Sequence, residues 1–546
     1  MKRLKLLLGI MAMTALLAGT VALFSPYAPV VQPVMDIEDI WAIEDSRRES
    51  DVPLVTRLEN HGAALAYDAQ ENTFYCTLGL GREEAWPDIH LTAPGAKDVQ
   101  LVFVDDYSYD WCADAIRDGY PYQILAYTDE AFWYFDLVFT GLPLVMIECG
   151  QEITDLDTPA QVTFSAFGEE PAGSTANIHL RGGGTRSQEK QNYRVEFTRG
   201  ENGKKTMIDL PGFGLRENIL LNPMVFDETM LRDRMSWAVY GDLLGEDYDG
   251  AFGARKTAYA EVFLNDAYCG VYLMMEPMDS QEELLKAGTT HLSTDSVYRT
   301  LRIGFAGERP IVVNPTKDNA VFELRYEPAQ TRQFAPFEPY LDMLAETDDE
   351  TFIRKTACMD MESVARYILL RQFTGMDDNV NNNLYIWARQ TEDGMKYTFV
   401  PWDLDMSWAG KKDNLGEDYE CWLAFPLLDR MLVNNAGGLV ELMTQRWREW
   451  RQDVFTVEHM EQLLNQFSSE LENSGARWRN AERWGTPEHG EAVYELSAFA
   501  AARIEVLDLA MKMFEDPELD YPPFLSDIDP ETDSYSIYGN SIAAYE

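Results

Sequence analysis

Between residues 63 and 139 apolar and polar positions alternate through short runs, NTFYCTLGL, KDVQLVFVDD, YQILAYT and AFWYFDLVF, each closed by Gly, Pro or Asp. Period-two alternation bounded by turn formers predicts strands, so residues 61–150 read as a small β-rich, sandwich-like domain. TGLPLVMIECG and AQVTFSAFG carry strands onward into a second region. There ANIHLRGGGTRSQEKQNYRVEF alternates at Ile178 and Leu180, breaks at Gly182–Gly184, and resumes at Tyr193, Val195 and Phe197. That is a strand, a flexible turn and a strand. The period then lengthens: in DETMLRDRMSWAVYGDLLG, Leu231, Met235, Ala238 and Val239 share one helical face, with Asp227 to cap the first turn and Gly245 to end the helix. AYAEVFLNDAYCGVYLMMEP alternates on both sides of Asn265-Asp266, a hairpin whose second strand ends at Glu276. Asp360 and Gly375 bracket another helix. It runs into an Asp/Asn-rich loop, a strand from about Leu384, the turn EDG, and a strand that delivers Asp403 and Asp405 in KYTFVPWDLDMSWAG. The fold class is α+β.

The ends of the chain read differently. Lys2, Arg3 and Lys5 precede an apolar stretch from Leu6 to Phe24, the pattern of a signal peptide or an N-terminal anchor over residues 1–30. Residues 31–60 are acidic and polar, a linker or short helix. The Pro-rich, acidic residues 516–546 read as a loosely attached tail. Length changes little in this picture: 546 residues with 46% hydrophobic and 12% aromatic content allow two or more domains with sizeable cores. Charge changes more. With 92 acidic against 45 basic residues, net −47, the chain repels nucleic acid and anionic lipid. Membrane contact is therefore expected only through the N-terminal anchor. Six dispersed cysteines form no C-x-x-C pair, which argues against zinc and leaves disulfides or buried thiols open.

The chemistry sits in the second region. Gly182–Gly184 permit close backbone approach, and Arg181, Arg186 and Lys190 add positive charge suited to a phosphate-bearing ligand. By itself this segment reads as a hairpin turn with solvated bases, and no P-loop motif is present. Asp378 and Asn383 carry the spacing of D-x-x-x-x-N, in which the kinase aspartate takes the acceptor proton and the asparagine holds magnesium. Asp403 and Asp405 then stand where a second magnesium ligand would follow a hairpin. On a continuing strand the two would share a face, and on a turn they would diverge.

From about Ile178 to Phe514 the chain resembles the spore-coat protein H (CotH) kinase family, an atypical protein-kinase-like group. The resemblance rests on RGGGTRSQEKQNYRVEF, NILLNPMVFDETMLRDRMSWAVYGDLL, AEVFLNDAYCGVYLMMEP, the Asp-rich loop, FVPWDLDMSWAG and AFPLLDRMLVNNAGGLVELMTQRWREW. It implies a two-lobed kinase-like domain over residues 151–515, with ATP and magnesium or manganese as cofactors. Lys190, Arg181 and Arg186 would serve phosphate, with Glu276 matching a recurrent glutamate. Asp378 would be the catalytic aspartate, and Asn383, Asp403 and Asp405 the metal ligands. The family pattern Asn-Ser-Ser is here Gly183-Gly184-Thr185, and a common basic position is Glu196. The implied activity is transfer of the ATP γ-phosphoryl group to Ser/Thr hydroxyls of an extracellular or envelope protein, a basic Ser/Thr-rich one suiting the acidic kinase. Two rivals stay open: a catalytically inactive surface binding or structural protein on the same fold, and a glycan hydrolase using paired carboxylates. The hydrolase leaves the Arg, Lys and Gly cluster without a role.

Overall fold

The computed structural model describes residues 34–79, 89–96, 98–104, 112–199, 203–246, 248, 252–278, 296–300, 304–306, 309–311, 322–326, 335–376, 379, 383–410, 419–485, 489–516, 518, 525 and 534–536. The expected leader, residues 1–30, lies outside them. Among the described residues no helix is long and apolar enough to cross a membrane.

The first layer is helix α1 (Ile37–Ser46), strands β1 (Thr73–Thr77) and β2 (Gln100–Phe103), helix α2 (Cys112–Asp118), and strands β3 (Pro121–Tyr127) and β4 (Ala131–Thr140). Ala66–Asp68, β1, β4, β3 and β2 lie in that order in one mixed sheet, and Arg48–Glu49 joins β4 in parallel. Here the sandwich-like expectation is corrected. Cys112, Ala115 and Ile116 of α2 share a core with Phe103, Tyr122 and Phe139, and the only sheet beside them there is a short three-stranded one of Glu59–Asn60, Ala63–Ala64 and Leu91–Thr92, so a helix and a small sheet stand where a full second sheet was expected among the described residues. On the opposite face Ile40 and Ile43 of α1 meet Val102, Leu125 and Phe132. No alternation announces α2, which is short and lies beside residues of mixed character.

The closed β structure comes next. Strands β5 (Leu144–Glu148), β6 (Thr158–Ser165), β7 (Ala172–Leu180), β8 (Tyr193–Arg199) and β9 (Asn218–Asn222) precede helix α3 (Arg232–Leu244). Strands β10 (Thr257–Leu264) and β11 (Tyr268–Met275) follow it. Their order is β7-β6-β5-β10-β11-β9-β8, and β8 pairs back onto β7, which closes the sheet into a barrel. Only β5 and β10 run parallel. Inward residues such as Ile147, Val162, Ile178, Val195, Ile219, Val262 and Met274 fill it, as the alternation requires. β5 lies before residue 150 yet is a barrel strand. Leu180 pairs with Tyr193 and Tyr193 with Leu221, so the glycine-rich turn and Asn222 emerge at one rim.

A largely helical body completes the chain. Strands β12 (Ser296–Thr300) and β13 (Phe322–Tyr326) precede helix α4 (Met361–Thr374). Strands β14 (Leu384–Thr391), β15 (Gly394–Pro401) and β16 (Cys421–Leu423) come before helices α5 (Leu439–Trp450), α6 (Val457–Asn473), α7 (Ala476–Trp484) and α8 (His489–Phe514). Asp360 caps α4 by accepting from the Ser363 N–H, and Gly375 ends it at φ 69°. Tyr367, Phe373, Phe399, Trp408, Phe455 and Phe499 share one core. Inside the expected tail, β17 (Ser534–Ser536) pairs with β16, and Leu525 is buried in that core. The tail is therefore attached at these points, because β16 offers an edge that a short polar segment can complete. All six cysteines are free thiols.

Candidate functional site

Between the barrel rim and the loops of the helical body lies a cavity of about 780 Å3. The barrel contributes the turn after β7. Gly182 sits at φ +86°, and a Cβ there would meet the Thr185 hydroxyl at 2.2 Å, so this glycine is required by both conformation and space. Gly183 and Gly184 are under neither constraint, since an added Cβ meets nothing within 4 Å at the first and only the Phe226 ring at 3.6 Å at the second. The freedom expected of three glycines is thus needed at one.

Arg181, Arg186 and Arg194 line the cavity on this side. Arg181 reaches Asn192 Oδ1 at 3.4 Å and lies 5.9 Å from the Trp402 ring centre. Arg186 pairs with Asp155 at 3.2 Å, a contact exposed at both ends and so weak. Arg194 pairs with Glu196 at 3.1 Å, and Lys205 joins the same carboxylate at 3.3 Å. Glu196 therefore serves as a local counter-ion.

The opposite wall comes from two loops. Asn383 follows α4 at φ 56°, and its carbonyl accepts the Trp402 N–H at 3.0 Å. The buried Asn379 amide bridges the carbonyls of Asn383 and Trp402, at 3.1 and 2.7 Å. This side chain therefore ties the loop after α4 to the residue before Asp403. β15 ends at Pro401, and Asp403 takes φ 59°, a left-handed conformation that aspartate tolerates better than most residues. A turn follows, yet Asp403 and Asp405 both line the cavity with Asn383. The strand-or-turn question is answered as a turn that still keeps both carboxylates on one site. Among the described residues no group of three or more His, Cys, Asp or Glu side chains is poised for a metal. The donors gathered here are two carboxylates and an amide.

The structure does not bring every expected residue to this cavity. Lys190 is buried, with Nζ donating to the Val271 carbonyl at 2.5 Å and to Asn480 Oδ1 at 2.9 Å. It lines a neighbouring cavity of about 680 Å3, with Phe226 in the wall between the two. Burial pulls its amine down to about 7. The Tyr272 ring lies 4.8 Å from the same Nζ. Glu276 lines neither cavity; it lies 3.5 Å from Arg216 and accepts the Lys256 N–H at 3.3 Å. Asp378 lies outside the described residues.

One carboxyl was not singled out from the sequence. Asp233, in the first turn of α3, is buried and accepts from Asn222 Nδ2 at 3.2 Å and from the Leu404 N–H at 3.4 Å. Burial first, and then the nearby Asp403 charge, push its carboxyl up to about 7. Its only sequence signal is an aspartate on the mostly apolar helix 232–244, where a buried acid calls for a partner.

A barrel and a helical body thus meet, on a mixed α+β fold, at a cavity with arginines on one wall and oxygen donors on the other. The chain belongs to the CotH kinase protein family, whose model matches residues 178–507, from β7 into α8. No curated protein matches the chain.

Proposed function

We propose that this protein is an exported, ATP-dependent kinase of two-lobed, atypical protein-kinase-like architecture. It transfers the γ-phosphoryl group to serine or threonine hydroxyls of an extracellular or envelope protein. In this reading the barrel is the smaller lobe, the helical body the larger, and the acceptor a basic polypeptide. The observation that carries it is that one cavity collects Arg181, Arg186 and Arg194 from the barrel and Asn383, Asp403 and Asp405 from the helical body.

The donor set fits magnesium or manganese: all three residues offer oxygen, and two carboxylates with an amide leave positions for phosphate oxygens and water. When bound, such an ion would neutralise charge on the phosphates in flight. Asn383, Asp403 and Asp405 would hold it, while the three arginines orient the triphosphate and exclude rotated poses. Arg186 would leave Asp155 to do so, at little cost because that pair is solvent-exposed. Asp378, by its spacing from Asn383, would take the hydroxyl proton. Since phosphoryl transfer depends chiefly on position and charge, these side chains would supply most of the rate.

The test is transfer of labelled γ-phosphate from ATP to a basic acceptor protein. Asp403→Asn is expected to lose at least about a hundredfold in rate with its melting temperature preserved, because asparagine also tolerates a left-handed backbone. Wild-type rates in that variant would refute the metal assignment. The engagement of Lys190 with Val271 and Asn480 favours the second reading, a kinase-like protein that binds without catalysis. Absence of transfer, together with no nucleotide-dependent rise in melting temperature, would select it.

A further inference from the structure

We infer that Asp233 is a positioning residue that holds the aspartate loop, residues 403–408, in the geometry its metal-binding carboxylates require; this rests on the phosphotransfer reading. Leu404 lies between Asp403 and Asp405, and its backbone N–H is taken by Asp233 Oδ1. The other oxygen, Oδ2, takes the amide of Asn222, which lines the same cavity from the end of β9. Asp233 therefore joins the barrel rim to the loop through one buried carboxyl.

The same helix holds the rest of the loop. Ser236, one turn further along, shares a hydrogen bond with Ser407 at 2.8 Å and accepts the Trp408 indole N–H at 2.8 Å. Arg232 donates to the Trp408 carbonyl at 3.5 Å, and its guanidinium is fixed by Asp227 at 2.7 Å. The N-terminal turn of α3 is thus a clamp on residues 404–408. Asp403, Trp408 and Ala409 all sit at positive φ, at 59°, 53° and 66°. A loop with three such residues holds its shape only where its surroundings over-determine it.

The chemistry of the clamp asks for a carboxyl at residue 233. Both oxygens face donors, and Asn222 cannot turn its amide around freely because its Oδ1 already accepts the Met224 N–H at 3.1 Å. Asp233→Asn therefore sets an N–H2 group against either Asn222 or Leu404, while leaving the volume unchanged. Groups that orient metal ligands without touching the metal typically contribute tenfold to a hundredfold in affinity or activity.

The experiment titrates the full chain with MnCl2 and follows free Mn2+ by electron paramagnetic resonance, without nucleotide and then with a non-hydrolysable ATP analogue. Asp233→Asn is expected to weaken Mn2+ binding about tenfold or more and to lower kcat, with KM for ATP at saturating Mn2+ near wild type because the arginine wall is untouched. Equal Mn2+ affinity in wild type and a folded Asp233→Asn would overturn the inference. Should that variant not fold, Asn222→Ala carries the test, since it removes one tie without opposing two donors; unchanged Mn2+ affinity there would likewise overturn it. A wild-type chain that binds no Mn2+ even with the nucleotide analogue would instead remove the phosphotransfer reading on which the inference rests.

Discussion

Lys190 shows how far residue type and residue role can separate. As a base beside a glycine-rich turn it suits a phosphate, yet its amine is committed to Val271 and Asn480. Its depressed value has a sign that can be tested. With the folded value lowered to about 7 from an ordinary 10.5, the unfolded chain binds the extra proton between those limits. Unfolding free energy should therefore rise with pH across that window. Denaturant titrations at pH 7 and pH 10 are expected to show this gain in wild type and less of it in Lys190→Met. An equal gain in both would assign the effect to other groups. Gly182 is the opposite case, a residue whose role the turn pattern announced and whose conformation and crowding agree with it.

Among elements, α7 matters as much as the loops, because it joins the barrel to the helical body. Asn480 Oδ1 accepts the Val271 N–H at 3.0 Å and Trp484 donates to the Cys269 carbonyl at 3.0 Å, so side chains of the helix satisfy backbone groups of β11. Gly270 between them sits at φ +89°, and a Cβ would come within 2.5 Å of Asn480. Beside it Arg479 makes two 2.9 Å bonds to Glu261 on β10, both buried; burial by itself would lower the guanidinium's pKa, and Glu261 outweighs it and holds the value above the ordinary one. Glu261→Ala would strand that cation, and losing one partner of a buried pair costs about 3–5 kcal/mol. A fall in unfolding free energy of that order is expected by urea titration. A change under about 1 kcal/mol would mean that water reaches Arg479.

For the whole molecule, the net charge of −47 dominates anything beyond contact distance. A basic acceptor would be drawn in by the field, and salt would weaken the attraction because charges are screened beyond about 10 Å at 0.1 M ionic strength. Capture of a Lys/Arg-rich acceptor, read as kcat/KM, is expected to fall as salt is raised while kcat holds. Salt-independent capture would show that recognition is local rather than long-range. Within the cavity, by contrast, positive and negative side chains share the lining, Arg181, Arg186 and Arg194 standing with Asp155, Asp403 and Asp405.

What the sequence determined by itself was local. Helix limits at Asp360 and Gly375, the hairpin about Asn265-Asp266 and the strand ending just before Asp403 all follow from capping, turn chemistry and alternation, which act over a few residues. The approach of Asn383 to the two aspartates was legible for the same reason, since one hairpin separates them. Tertiary structure alone decided the closure of seven strands into a barrel, because pairing partners far apart in sequence leave no mark on periodicity. It also decided that Lys190 faces Asn480, 290 residues away, and that Asp233 grips Leu404, 171 residues away. Burial makes such polar contacts necessary, and only the packed chain determines which donor meets which acceptor.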